Sequence, residues 1–204
     1  MTNFGIFKTP PIDLPGAATS TGPEPGTFQD NKPSFALSGI GQGPVAATPL
    51  QMALVASAVA NNGVIMAPHV GACIESDDGR VLERINPSKW TTAMSASTAA
   101  TIKQFMVEVV QRGTGTGAFI NGVAVAGKTG TAQKENQSFP EAWFVGFAPA
   151  DNPQYAVAVL LEHTDLGDEA TGGKAAAPLA KTMLQYLLAH NVDETVSARC
   201  TSGG

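Results

Sequence analysis

Apolar and polar positions along this chain follow two periods, and the switches between them mark the elements. Over residues 49–61, Leu50, Met52, Leu54, Val55, Ala56 and Val59 leave almost no polar face, the pattern of a helix buried on nearly all sides. Thr48 offers an N-cap oxygen, Pro49 suits the first helical position, and Gly63 suits a left-handed stop. A second, amphipathic helix is predicted over 97–111, where Ile102, Phe105, Met106, Val109 and Val110 recur at helical spacing before Gly113. A third begins at Pro178, with Leu179, Met183, Leu184, Leu187 and Leu188 as a stripe for a sheet face.

Between these helices the pattern changes to that of strands. Residues 70–75 and 80–85 flank Ser76-Asp77-Asp78-Gly79, whose Asp-Gly pair favours a tight hairpin turn. Residues 124–133 read as a strand containing Gly127 and Gly130, a residue type that often marks close approach of another backbone or a ligand. Residues 142–148 and 155–162 are apolar and rich in aromatic and β-branched types, and Pro149-Ala150-Asp151-Asn152-Pro153 joins them as a turn. The expected fold class is therefore α+β, an antiparallel sheet with packed helices, with Trp143, Phe144 and Phe147 in its core or on its face. Residues 8–33, punctuated by Pro10, Pro11, Pro15, Pro23, Pro25 and Pro33, are expected to form a long surface loop. Residues 193–204 are expected to be a disordered tail after a body spanning 1–192.

Composition narrows the partners. With 204 residues, 43% hydrophobic and 14% charged, the chain supports one globular domain or a large piece of one. A net charge of −5 with no basic stripe argues against nucleic acid as a partner. The longest apolar stretch, residues 50–60, falls short of the roughly 20 residues that span a bilayer. The first residues lack a charged segment followed by a long apolar one, so neither a membrane anchor nor an export signal is expected in this sequence.

Cys73 and Cys200 lie far apart without metal-type spacing and are read as unpaired thiols. His69, His163 and His190 have no partner at ligand spacing, so no metal and no cofactor are expected. Gly113-Thr114-Gly115-Thr116-Gly117 follows a helix and precedes a strand, the reverse of a phosphate-cradling loop, and reads as a turn. Asp165-Leu166-Gly167-Asp168-Glu169 reads as a solvated charge run rather than a cation site.

The chemistry concentrates in Lys128-Thr129-Gly130-Thr131. A strand with this sequence places an ammonium, two hydroxyls and a backbone edge cleared by Gly130 within a few residues. Lys128 would lower the cost of deprotonating a nearby serine and attract an anionic substrate, while Thr129 and Thr131 can hydrogen-bond a carboxylate. A backbone N–H on that edge could serve an oxyanion hole, and Gly130 admits close approach. The signature in which Lys-Thr-Gly accompanies acyl transfer also contains Ser-x-x-Lys and a Ser-Asp-Asn-like triplet. No serine of this chain has Lys three residues on or Asn two residues on.

Several further segments stand in one order around the tetrad: Ile40-Gly41-Gln42-Gly43, Thr48-Pro49-Leu50-Gln51-Met52, Ala60-Asn61-Asn62-Gly63, Gly113-Thr114-Gly115, the run through Ala142-Trp143-Phe144-Val145-Gly146-Phe147-Ala148-Pro149, Gly172-Gly173 and Ala177-Pro178. Together they make the chain, from about residue 4 to 190, resemble the second half of a class B penicillin-binding protein transpeptidase domain, of the penicillin-binding protein A and cell-division types. The resemblance implies part of a serine β-lactamase/transpeptidase-like fold. It also implies a serine D,D-transpeptidase that cross-links peptidoglycan stem peptides and is acylated by β-lactams, on the extracytoplasmic face of the bacterial membrane.

By the same resemblance Lys128 lines the catalytic cleft, Thr129 and Thr131 bind the substrate carboxylate, Gly130 stands between them, and Thr131 also gives an oxyanion N–H. The nucleophile motifs would lie before residue 1, making an N-terminal part of the domain a required partner beside stem peptide and β-lactams, with cell-wall assembly proteins as further candidates. Two other readings stand beside this one. A serine β-lactamase or β-lactam sensor fragment shares Lys-Thr-Gly but should lack Thr48-Pro49-Leu50-Gln51, and a non-catalytic cell-wall interaction module would keep the tetrad as a relic.

Overall fold

Along the chain the elements are α1 (Lys32–Gly39), α2 (Pro49–Ala60), β1 (Val64–Met66), β2 (Cys73–Glu75), β3 (Val81–Arg84), β4 (Lys89–Thr92), α3 (Ala96–Arg112), β5 (Ala126–Ala132), β6 (Glu141–Ala148), β7 (Tyr155–Leu161) and α4 (Ala177–His190). Short 3-10 turns occupy Thr2–Phe4 and Thr116–Ala118, and a π-helical turn, Gly172–Ala176, runs into α4. The structure is a computed structural model and describes residues 1–23, 26–27, 31–133, 140–162, 167, 170–190 and 200.

All the strands pair antiparallel: β1 with β4, β2 with β3, and β5–β6–β7 in sequence order. This is an α+β fold built around the last of these sheets. On one face Ala126, Val145 and Phe147 pack with Ala56 and Val59 of α2 and Met106 of α3. On the other, Ala142, Phe144, Val157 and Val159 pack with Ala177, Ala180 and Leu184 of α4. Covered on both faces, β6 buries every residue except the half-buried Trp143, which is why its sequence is nearly continuously apolar rather than alternating. Phe144 and Phe147 are fully buried, as their place in an apolar strand predicts.

Helix α2 begins and packs as the sequence predicts. Thr48 Oγ1 accepts from the Gln51 backbone N–H at 3.1 Å with Pro49 in the first turn, satisfying one of the donors a helix start leaves open. Gln51 is wholly buried, and its Nε2 donates to the Phe4 carbonyl at 2.6 Å, tying the first residues to the helix. Ala58 and Leu54 of α2 join Ile65 of β1 and Ala93 in a third cluster.

Elements that bury little escaped the sequence reading. Within the expected 8–33 loop, the last two residues belong to α1, capped by Asn31 Oδ1 on the Ser34 N–H at 3.1 Å. That helix buries none of its residues, so it leaves no periodic apolar stripe. Strands β1 and β4, three and four residues long, are too short for a period-two pattern. The ribbon predicted over 70–85 forms as β2 and β3. Asp13 accepts from the N–H groups of Gly71 at 2.9 Å and Val70 at 2.8 Å, and these bonds hold its carboxyl below the usual carboxylate range.

Two expectations are corrected. In α4, Leu184 is buried and Leu187 and Leu188 pack on the core, but Leu179 and Met183 are each 46% exposed. The sheet-facing positions of the first turns belong to Ala177 and Ala180, whose small size lets the helix approach the sheet. A pattern that scores only large apolar side chains misplaces that face by part of a turn.

The cysteines, expected to be unpaired, form a disulfide between Cys73 of β2 and Cys200, with S–S 2.06 Å and Cα–Cα 6.0 Å. A separation of 127 residues carries no sequence signal of spatial proximity. The rest of the tail predicted to be disordered, and all of the acidic run 165–169 but Gly167, lie outside the described residues. Reduction is expected to lower stability by about 2–5 kcal/mol. The check is a thermal melt with and without reductant beside thiol alkylation and mass spectrometry, and two alkylated cysteines in the unreduced protein would contradict the bond.

Candidate functional site at the edge of the central sheet

Among the described residues strand β5 has a partner on one side only, because the sheet order is β5–β6–β7. Its register sets Lys128 opposite Val145, Thr129 opposite Phe144, Gly130 opposite Trp143 and Thr131 opposite Ala142. Side chains alternate across a strand, so the tetrad divides between the faces. Lys128 and Gly130 face the side of α2 and α3, and Thr129 and Thr131 face the side of the π-helical turn.

The α2 side holds a cavity of about 510 Å³ next to the tetrad, walled by Gln42, Thr48, Met52, Lys128, Trp143 and Glu162 among others. Trp143, expected in the core or on the sheet face, is half-buried as part of that wall. Lys128 is exposed, and its ammonium donates to the Thr129 carbonyl.

On the opposite face each threonine hydroxyl is positioned by a glycine-rich segment. Thr129 Oγ1 lies 2.6 Å from Thr114 Oγ1, a hydroxyl supplied by the turn that follows α3. Thr131 Oγ1 accepts from the Gly172 N–H at 3.4 Å, which leaves the hydroxyl proton to donate outward. Gly172 lies so close that a Cβ there would sit 2.2 Å from the Trp143 carbonyl oxygen and 2.6 Å from that of Gly130. The close backbone approach expected at Gly130 is therefore made by Gly172. Gly127 serves packing, since a Cβ there would lie 2.2 Å from the ring of Phe144.

Carbonyls two residues apart on a strand point the same way. The Thr129 carbonyl accepts from Lys128 Nζ and the Thr131 carbonyl accepts from Gln42 Nε2 at 3.2 Å. Side chains thus reach both acceptors at the free edge, and the N–H of Thr131 shares that edge. An edge strand with an ammonium, two hydroxyls and outward backbone groups can bind an extended peptide by strand addition and hold its carboxylate.

The chain matches the penicillin-binding protein transpeptidase domain over residues 1–185. It belongs to that family. It is 39% identical over 191 residues to the peptidoglycan D,D-transpeptidase PbpA of Mycolicibacterium smegmatis, covering 91% of this chain and 37% of the relative. To penicillin-binding protein PbpB of the same organism it is 34% identical, covering 94% and 31%. Among solved structures, the D,D-transpeptidase domain of a peptidoglycan glycosyltransferase from Eggerthella lenta superposes with a TM-score of 0.81 at 34% identity, covering 94% of this chain and 47% of that one. The penicillin G acyl-enzyme complex of penicillin-binding protein A from Mycobacterium tuberculosis gives 0.79 at 32% identity, covering 92% and 41%. The chain spans about a third of the length of these two relatives, so it is a partial transpeptidase domain.

The residues that contact the tetrad were not all legible. Gln42, Thr114 and Gly172 fall in glycine-flanked segments read as loops or turns, and their roles arise from contacts 89, 15 and 41 residues away. A polar residue between two glycines, as in Gly41-Gln42-Gly43 and Gly113-Thr114-Gly115, was the available hint. Among the described residues no cluster of metal-binding side chains comes together. Nor is any helix among them long and apolar enough to cross a membrane.

Proposed function

We propose that this chain forms the substrate-binding wall of a peptidoglycan D,D-transpeptidase, with β5 receiving the stem peptide or a β-lactam along its free edge. The observation that carries this reading is the placement of Lys128, Thr129, Gly130 and Thr131 on that unpaired edge beside the cavity. Lys128 supplies positive charge that favours a serine alkoxide and an anionic ligand, and the Thr131 hydroxyl, assisted by Thr129, binds the ligand carboxylate. The Thr131 N–H points off the edge, where it stabilises the oxyanion of a tetrahedral intermediate. Gly130 keeps the strand free of a side chain between them.

Acyl transfer also needs a serine, and no Ser-x-x-Lys occurs in this sequence. The chain therefore works with a complementary portion of the transpeptidase domain that presents the nucleophile to this wall. Cell-wall assembly proteins are further candidate partners, and the site of action is the extracytoplasmic face of the membrane. The Cys73–Cys200 disulfide supports that location, since such bonds persist in oxidising compartments. The transpeptidase relatives favour this reading over a β-lactamase.

A fluorescent penicillin tests the division of labour. The chain by itself is expected to show no covalent label on a denaturing gel, whereas a chain joining this sequence to a Ser-x-x-Lys serine is expected to be labelled stoichiometrically. Stoichiometric labelling of the 204-residue chain would overturn the assignment.

A further inference from the structure

The Thr131 carbonyl is not bare. Gln42 Nε2 donates to it at 3.2 Å across 89 residues, and a primary amide N–H has the chemistry of a peptide N–H. The segment carrying Gln42 is fixed at its base, and at its tip the Gln42 N–H donates to the Leu37 carbonyl of the exposed α1 at 3.0 Å. Ala46 pairs with Thr21 through N–H···O bonds of 2.8 and 3.0 Å, and the Thr48 N–H donates to the buried Ser20 Oγ at 3.0 Å. Beyond that anchor, Gly41 and Gly43 flank Gln42 at φ 79° and 73°, a left-handed geometry that glycine adopts without strain. Ile40 is 74% exposed and the preceding α1 buries no residue, so little apolar contact opposes movement of the tip.

We propose that Gln42 is a positioning residue that stands in for the ligand: its amide occupies the Thr131 carbonyl until the N–H of an incoming stem peptide displaces it. This rests on the proposed use of the β5 edge. Lys128 on the Thr129 carbonyl covers the neighbouring acceptor, so the unliganded edge presents no open carbonyl at these two positions to another strand. A peptide binding there exchanges one hydrogen bond for another, and affinity is lowered by the bond it must break.

The test uses the full chain, nitrogen-labelled for NMR and titrated with a diacetylated tripeptide ending in D-Ala-D-Ala. The Gln42 side-chain amide is expected to resonate as hydrogen-bonded without peptide and to move to its free position in step with the Thr131 backbone signal. Gln42→Ala and Gln42→Leu, which both remove the donor without adding charge, are expected to bind the peptide about 2- to 10-fold more tightly, the range of one neutral hydrogen bond. A Gln42 amide that is free from the outset, or variants that bind no more tightly than the parent, would overturn the placeholder while leaving the edge as a binding site. Absence of any peptide-induced shift on β5 in parent and variants alike would overturn both the edge and the placeholder.

Discussion

Replacing Lys128 with alanine, in a transpeptidase chain that joins this sequence to a Ser-x-x-Lys serine, is expected to slow acylation by penicillin about 10²–10³-fold, the loss typical of one preorganised electrostatic group. Stability should hardly change. Lys128 is exposed, and among the described residues its ammonium donates to a carbonyl of the adjacent residue, so its truncation belongs with surface substitutions that stay within about 0.5 kcal/mol. A large kinetic effect beside a small stability effect is the signature of a group used in the transition state. Stopped-flow acylation together with a thermal melt reads both. Equal acylation rates would remove Lys128 from the chemistry, and a matched loss of rate and stability would make it a structural residue.

Gly172→Ala has the opposite character. The added methyl would meet the carbonyl oxygens of Trp143 and Gly130 at 2.2 and 2.6 Å, and backbone atoms in a paired sheet cannot step aside as a flexible side chain can. The π-helical turn must then lift away, breaking the Gly172 N–H bond to Thr131 Oγ1. The expected loss is about 1–3 kcal/mol, as for other overpacked sites, with each kcal/mol lowering the thermal midpoint by roughly 2–4 °C at this chain length. Peptide binding at the edge should weaken as well, because the Thr131 hydroxyl loses its support. Gly39→Ala is the control: nothing lies within 4 Å of a Cβ there, and its stability should equal or slightly exceed the parent's. A Gly172→Ala protein as stable as the parent would refute the clash.

These two substitutions mark where the sequence could be read and where it could not. The tetrad stood out because Lys128 and its neighbours are four consecutive residues, and the strand bearing them was legible because β6 and β7 are apolar runs of strand length. Helix α2 announced itself through its cap and apolar run and α3 through its period, although Phe105 of that stripe is 66% exposed. Gly172 was visible as part of a family pattern, but its purpose exists only once a turn is laid over Gly130. The same holds for Thr114 against Thr129 and for Gln42 against Thr131, contacts between segments that local periodicity cannot join. The outward turn of Leu179 and Met183 was hidden for a related reason, since which stripe of α4 meets the sheet depends on how much room Phe144 leaves it.

The bond between Cys73 and Cys200 gives the chain a covalent topology as well as a staple. Every peptide link from residue 73 to residue 200 lies inside one closed ring, and β5 with its whole tetrad is within that circuit. A single backbone scission anywhere in the ring leaves both resulting pieces in one molecule, whereas a scission between residues 42 and 73 separates the segment that carries Gln42 from it. The β5 edge and the Gln42 side chain that caps its Thr131 carbonyl therefore differ in how each would survive a proteolytic cut.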